Sequence, residues 1–292
     1  ENEINLIKSN SILISALDLN KNSLGILDKL ISKKITCIAF EYLKEDDGSF
    51  PVLSQLSEIA GQASILISSE LLSNTTKSGK GLFFGNLSGV PPTEVVIIGS
   101  GNVAKSAAIA ATKLGSRVKL FSNSIFRLNQ IKLLIGNSIY TSTIQSKQLT
   151  KALMRCDVAI GAIKGNEVTS CVVSEEIVMK MKKGAVIIDV SIDSQGTFET
   201  SNLTSHDKPT FEKYGVTHYC VPNIPSRYSR TSSLCISNII TPYLVKSKKY
   251  GSFENFIRNN NSLKNGVYLF NGLNTNKMIY ELFEIDYKNI NT

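Results

Sequence analysis

The stretch EVVIIGSGNVAKSAAIAATKLG, residues 94–115, constrains the fold more than any other part of the chain. EVVII is an apolar run of the kind found in a strand covered on both faces of its sheet. It leads directly into Gly99-Ser100-Gly101 and then into a small-residue segment with helical spacing. Gly99, Gly101 and Ala104 stand at the spacing G-x-G-x-x-A. In such a turn the first glycine permits the tight bend, the second lets backbone approach a diphosphate, and the third small residue lets the helix pack on its strand. The opening of the helix favours phosphate charge, through its N–H groups and its dipole. Taken alone, the pattern also fits a plain strand-to-helix turn that needs a positive φ. The two readings separate on whether further strands follow at the right distance.

Further strands do follow. Apolar runs at 94–98, 117–121, 158–163, 186–190 and 217–221 alternate with helical spacing at 103–114, 125–134, 147–156 and 174–181. Regular recurrence of strand and helix of this sort predicts a doubly wound, parallel α/β sheet of the dinucleotide-binding (Rossmann) type. Upstream, residues 11–17 and 35–41 read as strands around a helix at 23–32. A helix at 57–72 has Ser57 as its N-cap, and a Gly-rich loop at 78–92 ends in Pro91-Pro92. Downstream, 232–247 reads as a helix interrupted by Pro242, and a last helix lies near 274–283. A chain of 292 residues accommodates about two domains. Residues 51–229 are assigned to dinucleotide binding. Residues 1–50 and 230–292 are expected to pack together as parts of a second, discontinuous α/β domain, and a cleft between two domains is a common site for such ligands.

Composition narrows the partners. The net charge is +8, but the basic residues are scattered, which argues against a nucleic-acid surface and for anionic small molecules. Cys37, Cys156, Cys171, Cys220 and Cys235 are odd in number and share no C-x-x-C spacing, as expected of reduced thiols in a cytoplasmic protein. With only His206 and His218 present, no zinc-ligand spacing arises and no metal site is expected; both histidines read as structural. No run approaches the ~18–20 apolar residues that a membrane span needs. The chain opens on Glu1 rather than Met, so it reads as a processed or partial chain.

Three motifs fall where a doubly wound sheet meets its ligand, at the carboxyl ends of strands. DVAIGAIKG brings small residues Gly161 and Ala162 to a strand end. AVIIDVSIDSQGTFET carries Asp189 and Asp193. HYCVPNIPSRYSRTSS carries Asn223, Arg227 and Arg230. A carboxylate such as Asp193 at a strand end can orient an amine or water and relay a proton; it can equally cap the turn at 193–196.

The ordered set LSEIAG, GSGNVA, CDVAIGAIKG, KKGAVIIDVSID, HDKPTF and YCVPNIPSR resembles the alanine dehydrogenase and pyridine nucleotide transhydrogenase superfamily, from residue 11 to about residue 242. LSEIAG resembles its dehydrogenase branch. The resemblance implies an NAD-dependent amino-acid dehydrogenase that oxidatively deaminates L-alanine to pyruvate and ammonia. The other readings are a non-catalytic dinucleotide binder, a transhydrogenase-like subunit or a dehydrogenase of another amino acid. It implies cofactor contacts from Ser57, from Gly99, Gly101, Asn102 and Val103 in the loop, and from Ser122 and Arg127 at the adenosine ribose. Near the nicotinamide it implies Ala162, Ile192, Asp193, Val221 and Asn223. Asp193 also resembles the family's active-site aspartate, and the family's oligomers imply a homo-oligomer.

Three departures stand against that pattern. Asp18 in SILISALDLN falls where the family has a catalytic histidine, and reads either as an acid that takes over proton transfer or as a loop carboxylate. The family's substrate-binding Arg and Lys come from segments that would precede Glu1, so the second domain is expected to be partly missing. Ser122 replaces the acidic ribose ligand expected about twenty residues beyond the glycines. A hydroxyl still bonds ribose but cannot repel a 2′-phosphate, and Arg127 and Lys119 follow nearby in sequence. NAD is the expected cofactor, with NADP left open.

Overall fold

The computed structural model describes residues 2–17, 19, 23–75, 79–163 and 171–290. The chain divides into two compact units, Glu1–Gln55 with Ser233–Thr292, and Leu56–Ser232.

The first unit opens with α1 (Asn2–Leu6), β1 (Ile12–Ser15), α2 (Leu24–Ser32) and β2 (Thr36–Ala39). β1 and β2 run parallel, from Ile12 opposite Thr36 to Ser15 opposite Ala39. α2 turns Leu27 and Leu30 inward, the i, i+3 spacing that gives a helix one apolar stripe. Helix α3 (Pro51–Leu72) then starts at Pro51, not at Ser57 as the sequence suggests. Proline at the first helical position forfeits an N–H that has no partner there anyway, and its fixed φ suits the helix. Ser57 is therefore a mid-helix residue and caps nothing.

The second unit contains β3 (Glu94–Ile98), α4 (Asn102–Lys113), β4 (Arg117–Phe121), α5 (Ile125–Ile135), β5 (Ile139–Ser142), α6 (Ser146–Leu153), β6 (Val158–Gly161), α7 (Glu175–Val178), β7 (Val186–Asp189), β8 (Thr210–Lys213) and β9 (Val216–Tyr219). The strands form one sheet in the order β5-β4-β3-β6-β7-β9-β8. All neighbours are parallel except β8 and β9, which form a hairpin through Tyr214 and Gly215, both at positive φ. The parallel part reproduces the 3-2-1-4-5-6 order of dinucleotide-binding sheets, so the expected fold class is the one observed.

β3 explains why these runs are continuously apolar. Val95 and Ile97 face a core built with Ala104, Ala107 and Ala108 of α4 and Ala60 and Ala63 of α3. Val96 and Ile98 face the opposite core, with Phe121, Leu149, Leu153 and Ile187. Successive side chains of a strand point to opposite faces, and here both faces are covered. Burying each Val or Ile stabilises the unit by roughly 1.5–3 kcal/mol.

The chain returns to the first unit through α8 (Ser229–Ser247), then α9 (Phe253–Arg258), α10 (Asn261–Lys264), β10 (Val267–Phe270), β11 (Leu273–Asn274) and α11 (Lys277–Phe283). Pro242 lies inside α8 without interrupting it. A proline removes one hydrogen bond from the ladder, and the 19-residue helix runs on past that gap to Ser247. β10 lies antiparallel to both β2 and β11, which completes a four-stranded sheet, β1-β2-β10-β11. Its core contains Leu27, Leu30, Ile35, Tyr268, Leu269 and Ile279. No helix among the described residues is long and apolar enough to cross a membrane.

Candidate functional site

The turn from β3 into α4 is shaped by what glycine lacks. Gly99 has φ +130°, and a Cβ built there would stand 2.2 Å from the carbonyl oxygen of Ala162. No side chain fits, because the end of β3 lies against the end of β6, held by Ala162 N–H donating to the Ile98 carbonyl at 2.8 Å. This is the point where the chain switches from one half of the sheet to the other, and ligands of open α/β sheets lie in the crevice there. Gly101 differs: a Cβ on it would meet nothing within 4 Å, so its backbone faces open space. It is the N-cap of α4, it brings no side chain to cap that helix, and no acidic residue enters the first turn. The cradle suits a diphosphate, since backbone can approach it closely and the helix opening contributes positive potential. Asn102 is exposed at the start of α4, and Val103 is half-buried against the core.

α3 backs this cradle. A Cβ on Gly61 would lie 2.4 Å from the Val103 carbonyl oxygen and 2.8 Å from Ser106 Cβ, so the two helices touch at the backbone. Half-buried Ser57 lies one turn earlier on the same face of α3 as Gly61.

The end of β4 is lined with hydroxyls. Ser122 is 6% exposed; its hydroxyl lies 2.7 Å from that of Ser100 and accepts from Ser124 N–H at 3.3 Å. Ser124 in turn caps α5, accepting from Arg127 N–H at 3.4 Å, and Arg127 is exposed in the first turn of that helix. Lys119 does not join this corner, contrary to the sequence reading. Its ammonium pairs with Glu94 at 3.4 Å, at the opposite end of the strands.

Across the switch point, Gly161 is hemmed in by Thr197 and by Asp189, either of which a Cβ would approach to 2.9 Å or less. The remainder of the motif, Lys164-Gly165, lies outside the described residues. Asp189 ends β7 fully buried and accepts from Thr197 N–H at 2.8 Å, Phe198 N–H at 3.2 Å, Ser191 N–H at 3.1 Å and the Ser201 hydroxyl at 2.6 Å. Burial pushes its pKa up, and these donors pull against that. The same carboxylate touches Gly196, so it pins both sides of the loop that presents Ile192 and Asp193 on a 3-10 turn. Ile192 is half-buried and Asp193 exposed. Asp18, the other candidate for proton transfer, lies outside the described residues.

At the end of β9, Val221 is buried and Asn223 is exposed in the left-handed conformation, φ 49°. The Asn223 carbonyl accepts from Ser226 N–H at 2.9 Å and from the Ser226 hydroxyl at 2.8 Å, and His206 Nε2 lies 2.8 Å from that hydroxyl. Arg227 pairs with Glu70 of α3 at 3.2 Å, which ties this turn to the helix behind the cradle. His218 sits within β9, fully buried and stacked on Phe211. Its Nδ1 lies 2.9 Å from the Val216 carbonyl, an acceptor only, so Nδ1 carries the proton and Nε2 accepts from the Thr200 hydroxyl at 2.8 Å. Burial pushes its pKa down to about 4.

Gly99–Val103, Ser122, Ala162, Ile192–Asp193 and Val221–Asn223 thus follow the ends of five parallel strands, all on one edge of one sheet, with neighbouring strands about 4.8 Å apart. Residues 64–277 match the family model "Alanine dehydrogenase/PNT, C-terminal domain". An alanine dehydrogenase of Methanococcus maripaludis is 36% identical over 290 residues, 98% of this chain and 77% of that protein.

The chain belongs to the alanine dehydrogenase and pyridine nucleotide transhydrogenase family.

A solved L-alanine dehydrogenase agrees in structure, with a TM-score of 0.90 at 30% identity over 97% of this chain and 78% of that one. A transhydrogenase from Sinorhizobium meliloti, at a TM-score of 0.75 and 17% identity over 92% and 77% of the two chains, shares the fold. The superfamily resemblance drawn from six motifs is therefore correct, and the chain is a nicotinamide-dinucleotide-dependent oxidoreductase of amino-acid metabolism. Within this family setting, sequence reasoning missed Ser100, whose hydroxyl meets that of Ser122, and marked Asp189 at a strand end without its role as organiser of the 190–201 loop. Asp189 alone carried a signal, as an acid ending an otherwise apolar strand.

Proposed function

We propose that this protein catalyses the reversible oxidative deamination of L-alanine to pyruvate and ammonia with NAD as cofactor. One observation carries the reading: a helix opening whose N-cap is a glycine, Gly101, with open space where a side chain would stand, at the switch point of a sheet whose chain matches an alanine dehydrogenase along nearly its whole length. When bound there, the nicotinamide would supply the acceptor for the hydride of the substrate α-carbon.

The chain's own residues do the rest. Backbone at Gly99, Gly101, Asn102 and Val103 holds the diphosphate, with Ser57 on the helix behind; Ser122 and Arg127 bind the adenosine ribose. Ala162, Ile192 and Val221 offer small or apolar surface to the nicotinamide, and the Asn223 side chain fixes its orientation. Asp193, on a turn pinned by buried Asp189, orients the substrate amine and the attacking water and holds the proton that water releases. Asp18 is the second candidate for that proton. The protein works as a cytoplasmic homo-oligomer. Five free cysteines, three of them buried with pKa values pushed up to about 11 or 12, suit a reducing compartment.

The test is spectrophotometric: reduced nicotinamide should accumulate when the purified protein is given L-alanine and NAD, and be consumed with pyruvate and ammonium. Dinucleotide binding without turnover of any amino acid would overturn it.

A further inference from the structure

We propose that the ribose corner of this protein accepts a 2′-phosphate, so that it uses NADP as well as NAD, with Ser122 determining that specificity and Arg127 supplying the cation. The inference rests on the dinucleotide-binding reading above and concerns one corner of it.

The first observation is local. Doubly wound sheets that select NAD place an acid at the end of the second strand, where it bonds the ribose 2′-hydroxyl and repels a phosphate on that oxygen. β4 ends instead at Ser122, whose hydroxyl is engaged by Ser100 at 2.7 Å and by Ser124 N–H at 3.3 Å. The position is built into the turn, so the serine is no stray surface residue. A hydroxyl donates or accepts, and imposes no like-charge barrier on a phosphate.

The second observation covers the whole half-sheet. Between Glu94 and Asp157 the sequence holds no Asp or Glu, while nine Lys and Arg fall in it. That interval is β3 to α6, the half whose strand ends face the adenosine end of a dinucleotide. Three of the nine, Arg117, Lys119 and Arg155, are drawn to Glu94 at the other edge of the sheet. Arg127 is not: it stands exposed in the first turn of α5, three residues beyond the capping Ser124, and makes no ion pair among the described residues. A guanidinium presents paired N–H donors that match phosphate oxygens, and the opening of an 11-residue helix with no acid in its first turn adds to its field. Serine hydroxyl, helix opening and unpaired guanidinium meet at the end of one strand, and no carboxylate of this half-sheet opposes them.

Calorimetric titration of the purified protein with 5′-ADP and with 2′,5′-ADP isolates the corner from catalysis; NAD and NADP are then compared in binding and turnover. We expect 2′,5′-ADP to bind at least as tightly as 5′-ADP, and the NADP affinity to lie within about tenfold of the NAD affinity. Ser122→Asp should lower the NADP-to-NAD affinity ratio about a hundredfold or more, and Arg127→Gln about tenfold. Arg127 is exposed, so its variant keeps the test open if the aspartate disturbs the turn. Binding of 5′-ADP without 2′,5′-ADP, or an affinity ratio that neither variant moves, would falsify the inference and leave the NAD reading standing. If none of the four nucleotides binds, the dinucleotide reading itself fails and takes this one with it.

Discussion

The two edges of the seven-stranded sheet are chemically opposite. At the amino edge, where strands begin, charge is paired: the Glu94 carboxylate, 14% exposed, receives Arg117 and Lys119 at 3.4 Å and Arg155 at 3.9 Å. Beside it Asp157 accepts from Lys182 at 2.9 Å and from Glu94 N–H at 3.0 Å. At the carboxyl edge stand glycines, serine hydroxyls, Asn223 and a helix opening whose N-cap is a glycine. A half-buried carboxylate without partners is costly, so the amino edge neutralises its own. The carboxyl edge leaves donors for charge that a ligand brings. Concavity alone does not separate the two. A cavity of about 470 Å³ lies at the amino edge, lined by Phe83, Pro92, Glu94, Asp157 and Lys182, but the charges in its wall already satisfy one another.

If this division of labour is right, variants at one edge should alter ligand handling and variants at the other should alter stability. The largest effect is expected at the carboxyl edge from Gly99→Val. Its Cβ collides with the Ala162 carbonyl at a φ that valine does not adopt, so stability should drop by about 3 kcal/mol or more and dinucleotide binding should vanish. Thermal unfolding and calorimetry read both losses. Asp193→Asn should leave the melting temperature within about 1 °C, because the residue is exposed, while kcat falls roughly 10²- to 10⁴-fold. A variant that keeps its turnover would strip Asp193 of its proton role.

His218 belongs to neither edge and offers a control from the middle of the sheet. Its folded pKa, about 4, lies below the unfolded value of 6.5, so between those values the unfolded chain binds a proton that the folded protein refuses. Stability should therefore fall as pH is lowered through 6.5 toward 4, by about 3 kcal/mol in all. His218→Gln should flatten that part of the profile, and an unchanged slope would assign acid sensitivity elsewhere. The smallest effect is expected from the amino edge: Asp157→Ala strands Glu94 N–H and Lys182, lowering stability by roughly 1–3 kcal/mol. Dinucleotide affinity should change less than about threefold. A large loss of affinity there would break the comparison outright.

The central strands and the glycine turn were legible from local pattern, because a strand covered on both faces must be apolar throughout and a backbone-to-phosphate approach needs glycine. β5 and β8 were not. Both are edge strands, with Tyr140 and Glu212 exposed, and they lack the continuous run that marks their neighbours. The start of α3 was misread because Ser57 resembles a cap while Pro51 resembles a breaker. Only the fold shows which of the two occupies the first turn.

By itself, then, the sequence determined the order of the central strands and their helices, the glycine turn and the family, since each depends on residues close together in the chain. Tertiary structure decided which charges meet. Lys119 and Arg127 are eight positions apart and equally plausible beside a ribose, yet strand direction delivers one to Glu94 and leaves the other at the opposite edge. Pairing of that kind depends on register between strands distant in sequence, and a single chain of letters does not carry it.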